Sequence, residues 1–246
     1  MLTDTLLDFP PPTKVLPMST SSIPVVFIPA LLCDEQLYRA VIEDLGDTID
    51  AHVLLSPLPR LEDSVADILA RAPERFALVG TSYGGSLAME IALAAPHRVS
   101  ALWLMGCNPA APQAGGPDLA GGLASTPDVV INMLAGLVVP AHAVEAAATF
   151  RAMAARVGGA AGSAQMQALS VRSEASSRLR TLAMPALVLW GQDDPLVPVA
   201  IGSQLATDLP GSHFVALQGC GHLPTLEQPA ECAALFRSLL EKVTAH

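Results

Sequence analysis

Between Phe76 and Ala95 the chain passes from a run of strand formers, Phe76-Ala77-Leu78-Val79, into a helix of small residues, Ser86 to Ala95. The join is Gly80-Thr81-Ser82-Tyr83-Gly84-Gly85. A serine with glycine two positions away on either side is a steric statement. It has to stand at the tip of a sharp, strained turn, where a side chain at position 80 or 84 would collide with the neighbouring strand and helix. A free serine hydroxyl is almost wholly protonated at neutral pH and needs a base to become a nucleophile. The base in turn needs a carboxylate behind it to fix its tautomer. The turn therefore has meaning only if the rest of the chain supplies both.

The segments around it alternate. Val25–Pro29 reads as a short buried strand, followed by the loop Ala30–Asp34 and a helix over 35–45. Residues 51–55 and 75–79 read as strands, with a helix over 61–72 that places Val65, Ile68 and Leu69 on one face. Val99–Met105 is a further buried strand. This alternation predicts an α/β fold: a doubly wound, mostly parallel sheet with right-handed crossovers and a site at the carboxyl ends of its strands.

At Asn108 the rhythm breaks. Residues 109–126 have a linker composition of Pro, Ala, Gly, Ser and Gln, and three Ala-rich helical stretches follow over 128–137, 141–157 and 163–179. Strand character resumes at 185–190, then come a helix over 199–208, a strand over 213–217, the loop 218–224 and a helix over 230–243. Residues 23–108 and 183–246 are thus expected to form the core, with 109–182 a helical insertion that serves as a lid. Residues 1–22, with Pro10-Pro11-Pro12, read as a loose arm with a short edge strand near 13–16, and Met18 offers an alternative start.

Composition narrows the partners. With 51% hydrophobic and 15% charged residues, 246 residues can bury a sizeable core. A net charge of −10 argues against nucleic acid or an anionic membrane surface. No apolar run reaches the roughly 20 residues of a membrane span. The N-terminus lacks the basic start and apolar stretch of a secretory signal. Cys33, Cys107, Cys220 and Cys232 show no C-x-x-C spacing, which reads as reduced structural thiols in a cytoplasmic protein. The expected partner is a small molecule; no cofactor or metal is called for, and the pattern carries no oligomeric state.

Four histidines follow Ser82 before the C-terminal residue. His222 lies in Gly219-Cys220-Gly221-His222-Leu223-Pro224, a glycine-rich loop directly after a strand, where a side chain can turn over the sheet edge. His97 reads as a solvated turn residue, and His142 and His213 as surface residues. For the acid, the loop Gly191-Gln192-Asp193-Asp194-Pro195 follows a strand, and either aspartate can serve. Adjacent side chains in a turn point apart, so one reaches the histidine and the other is expected to cap the turn.

Together GTSYGG, WGQDDPLVP and GCGHLPTLEQP resemble the α/β-hydrolase superfamily, in its small, lid-bearing serine esterase and lactonase-like form, over about residues 23–243. The family's order is serine, acid, histidine. Its G-x-x-D turn running on to a proline maps onto Gly191, Asp194 and Pro198, so the resemblance implies a catalytic Ser82, Asp194 and His222. It also implies an oxyanion hole from the backbone N–H groups of Tyr83 and Leu31. Leu31 lies in the loop after the first core strand, where the family usually carries His-Gly and this chain carries Pro29-Ala30. The wording PALLCD resembles a subgroup with PGLLCD-like loops.

Leu31, Leu32, Tyr83 and Leu223 are expected around the nucleophile. Met133, Met153 and Met166 either line an adaptable apolar pocket or pack helix against helix. Arg151 and Arg172 either meet an anionic substrate group or face solvent. The activity implied is hydrolysis of a small, largely apolar ester, lactone or thioester through an acyl-enzyme on Ser82. Carbon–carbon bond hydrolysis or acyl transfer on the same triad remains open. The alternative class is a ligand-binding protein on a hydrolase scaffold, which an intact triad with both elbow glycines disfavours.

Overall fold

The computed structural model describes residues 22–113 and 115–244, so the expected N-terminal arm (save residue 22), the edge strand near 13–16 and Met18 lie outside the described residues. The strands are β1 (Ile23–Ile28), β2 (Ile49–Val53), β3 (Phe76–Thr81), β4 (Val99–Met105), β5 (Ala186–Gly191) and β6 (Ser212–Leu217). They pair in the order β2-β1-β3-β4-β5-β6, every neighbouring pair parallel. Between them run α1 (Arg39–Leu45), α2 (Leu61–Arg71), α3 (Tyr83–Ala94), α4 (Leu119–Ser125), α5 (Pro127–Ala135), α6 (Val144–Val157), α7 (Gly159–Ser170), α8 (Ser176–Leu179) and α9 (Val199–Asp208). The short α10 (Pro224–Glu227) and the long α11 (Pro229–Thr244) close the chain.

A parallel sheet covered on both faces needs strands that are apolar at every position. Here the alternate residues divide between two cores. Val25, Phe27, Val79, Trp103 and Leu189 pack with Tyr38, Val41 and Phe236 on the α1 and α11 side. Val26, Ile28, Leu78, Leu104, Val188 and Trp190 pack with Ile68, Leu87, Ile91 and Leu205 from α2, α3 and α9. Trp103 stacks on Phe236 at 4.7 Å between ring centroids, a contact that contributes about 0.5–1.5 kcal/mol beyond its buried area.

The strand order reverses between β1 and β3, since β2 lies on the other side of β1. Ile28 pairs in register with Gly80, so the carboxyl ends of β1 and β3 stand side by side. That crevice is where open α/β sheets hold ligands. Beneath it, the Tyr38 hydroxyl donates to the Ile28 carbonyl at 2.8 Å and lies 2.8 Å from Thr81 Oγ1, tying the two strand ends together.

Several boundaries differ from the sequence expectation. β2 starts and ends two residues early, because its pairing with β1 runs from Ile23–Ile49 to Phe27–Val53 and Ser56-Pro57 then leads the chain away. α3 starts at Tyr83, directly after the serine, rather than at Ser86. The segment expected as a linker holds α4, capped by Asp118 Oδ1 accepting the Gly121 N–H at 2.8 Å. Gly158, at φ +83°, breaks α6 from α7, whereas Gly162 lies inside α7. Between β4 and β5 the described residues are helical or irregular, with no strand.

The elbow glycines are held to their identity by contact. A Cβ on Gly84 would stand 2.0 Å from the Ile28 carbonyl oxygen, and one on Gly80 would stand 2.3 Å from the Gly84 oxygen. Gly84→Ala therefore has to push α3 off β1. Overpacking of this kind costs about 1–3 kcal/mol, which a lowered urea midpoint at unchanged m-value will report.

Candidate active site

Ser82 is the last residue before α3, and its backbone is at φ +54°, a conformation that costs a non-glycine residue about 1–3 kcal/mol. The surroundings enforce it. The Ser82 N–H is bonded to the Met105 carbonyl at 2.8 Å, and its own carbonyl accepts from Ser86 to start the helix. The side chain is partly exposed, on a small cavity of about 40 Å³ that it shares with His222, Ala30, Leu31 and Leu223.

His222 comes to the same cavity from the loop after β6. It is 3% exposed, and its Nδ1 lies 2.7 Å from Asp194 Oδ2. Asp194, also buried, uses its other oxygen to accept the N–H groups of Leu196 and Val197, each at 2.9 Å. The sequence expectation gave histidine contact and turn capping to different aspartates. One carboxylate does both, because its two oxygens point in different directions, and Asp193 is left exposed. The buried Asp194 carboxylate is thus hydrogen-bonded through both of its oxygens. No hydrogen bond joins Ser82 Oγ to His222 among the described residues; such contacts are often loose without substrate and tighten around it.

The His222 loop is braced from two sides. Glu227 on α10 accepts the N–H groups of Gly221 at 2.6 Å and Leu223 at 3.0 Å, one on each flank of His222. Burial pushes the Glu227 carboxyl up from its ordinary value even though both N–H groups pull the other way. The His222 N–H itself donates to the Val138 carbonyl at 3.0 Å, so a residue of the helical insert also holds the loop. Sequence reasoning missed Glu227. Its signal was the glutamate four residues past Leu223, spaced to cap backward onto the loop.

Two backbone N–H groups beside Ser82 are left free. Tyr83, at the first position of α3, and Leu31, in the loop after β1, have no partner for their N–H among the described residues. The Tyr83 side chain points elsewhere, donating its hydroxyl to the Ser56 carbonyl at 3.1 Å.

The wall of the cavity differs from the sequence expectation. Leu31 and Leu223 line it, joined by Leu134, Val138, Phe150 and Leu196. Met133 is instead 46% exposed, because α5 presents the adjacent Leu134 inward and one residue of helix is a rotation of about 100°. Met153 is fully buried in the core and Met166 packs against that core, so neither borders the cavity. Leu32 points its side chain onto Gly162 of α7. Arg151 is exposed and bonds Asn132, while Arg172 lines a separate cleft of about 590 Å³ with Leu61, Val65 and Glu90. His97, His142 and His213 are all exposed.

The geometry is matched by kinship. A family model described as the alpha/beta hydrolase family matches residues 25–235. The chain belongs to that family. It is 28% identical over 211 residues to the pimeloyl-[acyl-carrier protein] methyl ester esterase of Aromatoleum aromaticum, across 74% of this chain and 80% of the relative. It is 31% identical over 166 residues to the 2-hydroxy-6-oxononadienedioate/2-hydroxy-6-oxononatrienedioate hydrolase of Cupriavidus pinatubonensis, across 61% of this chain and 56% of the relative. Among solved structures, the esterase from Thermogutta terrifontis superposes with a TM-score of 0.79 at 21% identity, covering 91% of both chains. The enol-lactonase from Burkholderia xenovorans LB400 superposes with a TM-score of 0.80 at 16% identity, covering 89% of this chain and 92% of that one. No described helix is long and apolar enough to cross a membrane.

All four cysteines are buried and free, and burial pushes every thiol up, Cys107 to about 12. A thiol raised this far is neutral at pH 8 and a poor nucleophile. Ellman's reagent at pH 8 is expected to leave the native protein unlabelled and to titrate all four thiols in denaturant.

Proposed function

We propose that the protein is a serine hydrolase that cleaves a small, largely apolar ester, lactone or thioester through an acyl-enzyme on Ser82. The observation that carries this reading is the buried Asp194–His222 bond opening onto the cavity that Ser82 also faces. With Nδ1–H held by Asp194, the His222 lone pair is on Nε2, the tautomer a general base requires. Ser82 Oγ attacks the acyl carbon and gives its proton to Nε2. The carbonyl oxygen, now negative, is received by the Tyr83 and Leu31 N–H groups, which have no other partner to give up. His222 returns the proton to the leaving group, then takes one from the water that releases the acyl chain.

The helical insert serves as the lid in this scheme. The cavity is small, about 40 Å³, and is walled in part by Leu134, Val138 and Phe150. An acyl group enters only if Leu134, Val138 and Phe150 withdraw, and their return excludes water from the acyl-enzyme. The apolar wall favours an uncharged acyl chain. The relatives' names, a methyl ester esterase and an oxodienedioate hydrolase, support hydrolysis at a carbonyl carbon and justify testing a dicarboxylate half-ester beside simple esters.

A panel of nitrophenyl esters of short to medium chain length, with the methyl half-ester of a dicarboxylic acid, tests the reading. Ser82→Ala and His222→Ala are each expected to lower kcat by about 10⁶-fold, and Asp194→Asn by about 10⁴-fold. A fluorophosphonate probe is expected to label the wild type and spare Ser82→Ala. Equal labelling of both would sink the proposal, and stoichiometric ligand binding without turnover would favour a receptor instead.

A further inference from the structure

The loop that carries Leu31 is held in a strained shape from outside the core. Ala30 to Cys33 form a turn closed by the Cys33 N–H on the Ala30 carbonyl at 3.0 Å. Its third residue, Leu32, is at φ +60°, where a turn normally uses glycine or asparagine. Leu32 and Ser82 are the two non-glycine residues at positive φ among those described, and Leu32 directly follows Leu31, which lines the Ser82 cavity. A leucine in this conformation costs about 1–3 kcal/mol and persists only where neighbours over-determine it.

Those neighbours come from the helical insert. The Leu32 N–H donates to Gln165 Oε1 at 3.0 Å in a fully buried bond that spans 133 positions of the chain. Gln165 lies on α7 and is 2% exposed. Its neighbour Gly162 supplies the seat for the Leu32 side chain, since a Cβ there would stand 2.5 Å from Leu32 Cδ2. One residue past the turn, Asp34 caps the Gln36 N–H at 3.0 Å and is gripped by Arg156 of α6 through two bonds of 2.7 and 3.1 Å. An uncharged amide oxygen is thus the one side-chain acceptor on the strained peptide. The alternative to this bond is an orphaned buried N–H, at a cost of about 1–3 kcal/mol, or rotation of the Leu31–Leu32 peptide toward an unstrained turn.

We propose that Gln165 is a positioning residue for oxyanion stabilisation: by holding the Leu32 N–H it locks the 30–33 turn and fixes the Leu31 N–H at the Ser82 cavity. The insert therefore shapes the transition state as well as covering the substrate. This rests on the proposed serine mechanism with Leu31 as a donor. Rotation of the Leu31–Leu32 peptide displaces the backbone on either side, and a donor moved by about an ångström loses much of its value to the developing charge.

The test compares Gln165→Met, which keeps the length and removes the acceptor, with Gln165→Glu, which keeps an acceptor oxygen, and with Ser82→Ala. Gln165→Met is expected to lower kcat by about 10- to 100-fold with KM within twofold, less than the loss of a whole oxyanion donor. It should weaken a trifluoromethyl ketone, which mimics the tetrahedral intermediate, by a similar factor, and leave the affinity for the carboxylate product unchanged. Gln165→Glu should recover most of the loss. Arg156→Met, which removes a half-exposed guanidinium from the buried Asp34, is expected to lower kcat by about two- to fivefold in the same KM-neutral way. Wild-type kcat in a folded Gln165→Met overturns the proposal. So does a loss shared equally by kcat and product affinity that Gln165→Glu fails to recover, which marks a merely structural role. Should Gln165→Met not fold, a KM-neutral fall in Arg156→Met supports the proposal and an unchanged kcat overturns it. Turnover that survives in Ser82→Ala defeats the underlying mechanism instead.

Discussion

A Cβ at position 84 would stand 2.0 Å from the Ile28 carbonyl oxygen, so α3 can lie where it does only against bare backbone. That approach has consequences in three directions. It lets the chain turn from β3 into α3 within one residue, which forces Ser82 into positive φ and lifts it clear of the sheet. It brings the first N–H of α3, at the positive end of the helix dipole, beside the loop that leaves β1. And because the strand order reverses between β1 and β3, that loop has no crossover helix of its own lying in the crevice. Parallel pairing across the reversal thus sets the serine and both free N–H groups at one place before any side chain is chosen.

The other half of the site is built from side chains with more than one duty. Asp194 stabilises its own turn with one oxygen and orients His222 with the other. Loss of Asp194 would leave His222 and the Leu196 and Val197 N–H groups without their acceptor, at about 1–3 kcal/mol for a buried group so orphaned, and would be felt in stability. Glu227 straddles His222, taking the N–H on each side of it. Rigid support of this kind keeps the imidazole from swinging, which suits the proposed role of His222, since a general base is effective only within hydrogen-bond reach of the proton it takes.

What could be read from the sequence follows from the range of each interaction. The alternating strands and helices were legible because two-faced burial covers every residue of β3, β4 and β5, and most of them are therefore apolar. Ser82 and His222, which share one cavity, and Asp194, which is bonded to His222, stand in loops whose glycines and prolines leave a local mark. The lining was not legible: Leu134 rather than Met133 faces inward, and the phase of an Ala-rich helix is poorly fixed by its sequence when apolar residues occur on all sides. α4 was hidden because Pro, Gly and Ala signal a linker by propensity, while packing onto α7 makes the segment helical. The Leu32–Gln165 bond had no signature at all, since nothing in a leucine announces positive φ and its partner lies 133 positions away.

The same long-range bond limits how the insert can move. Two parts of it touch the site in different ways. Leu134, Val138 and Phe150 form the roof over the cavity, whereas Gln165, Gly162 and Arg156 grip the 30–34 loop. If the whole insert lifted as a body to admit substrate, the Leu32 peptide would lose its acceptor and the strained turn its support. Chemistry would then have to wait for the insert to return. If instead α5 and the segment to Val138 swing while α7 stays, the 30–34 loop keeps its grip throughout. Phe150 of the roof and Arg156 of the grip share α6, so the two are joined through that helix.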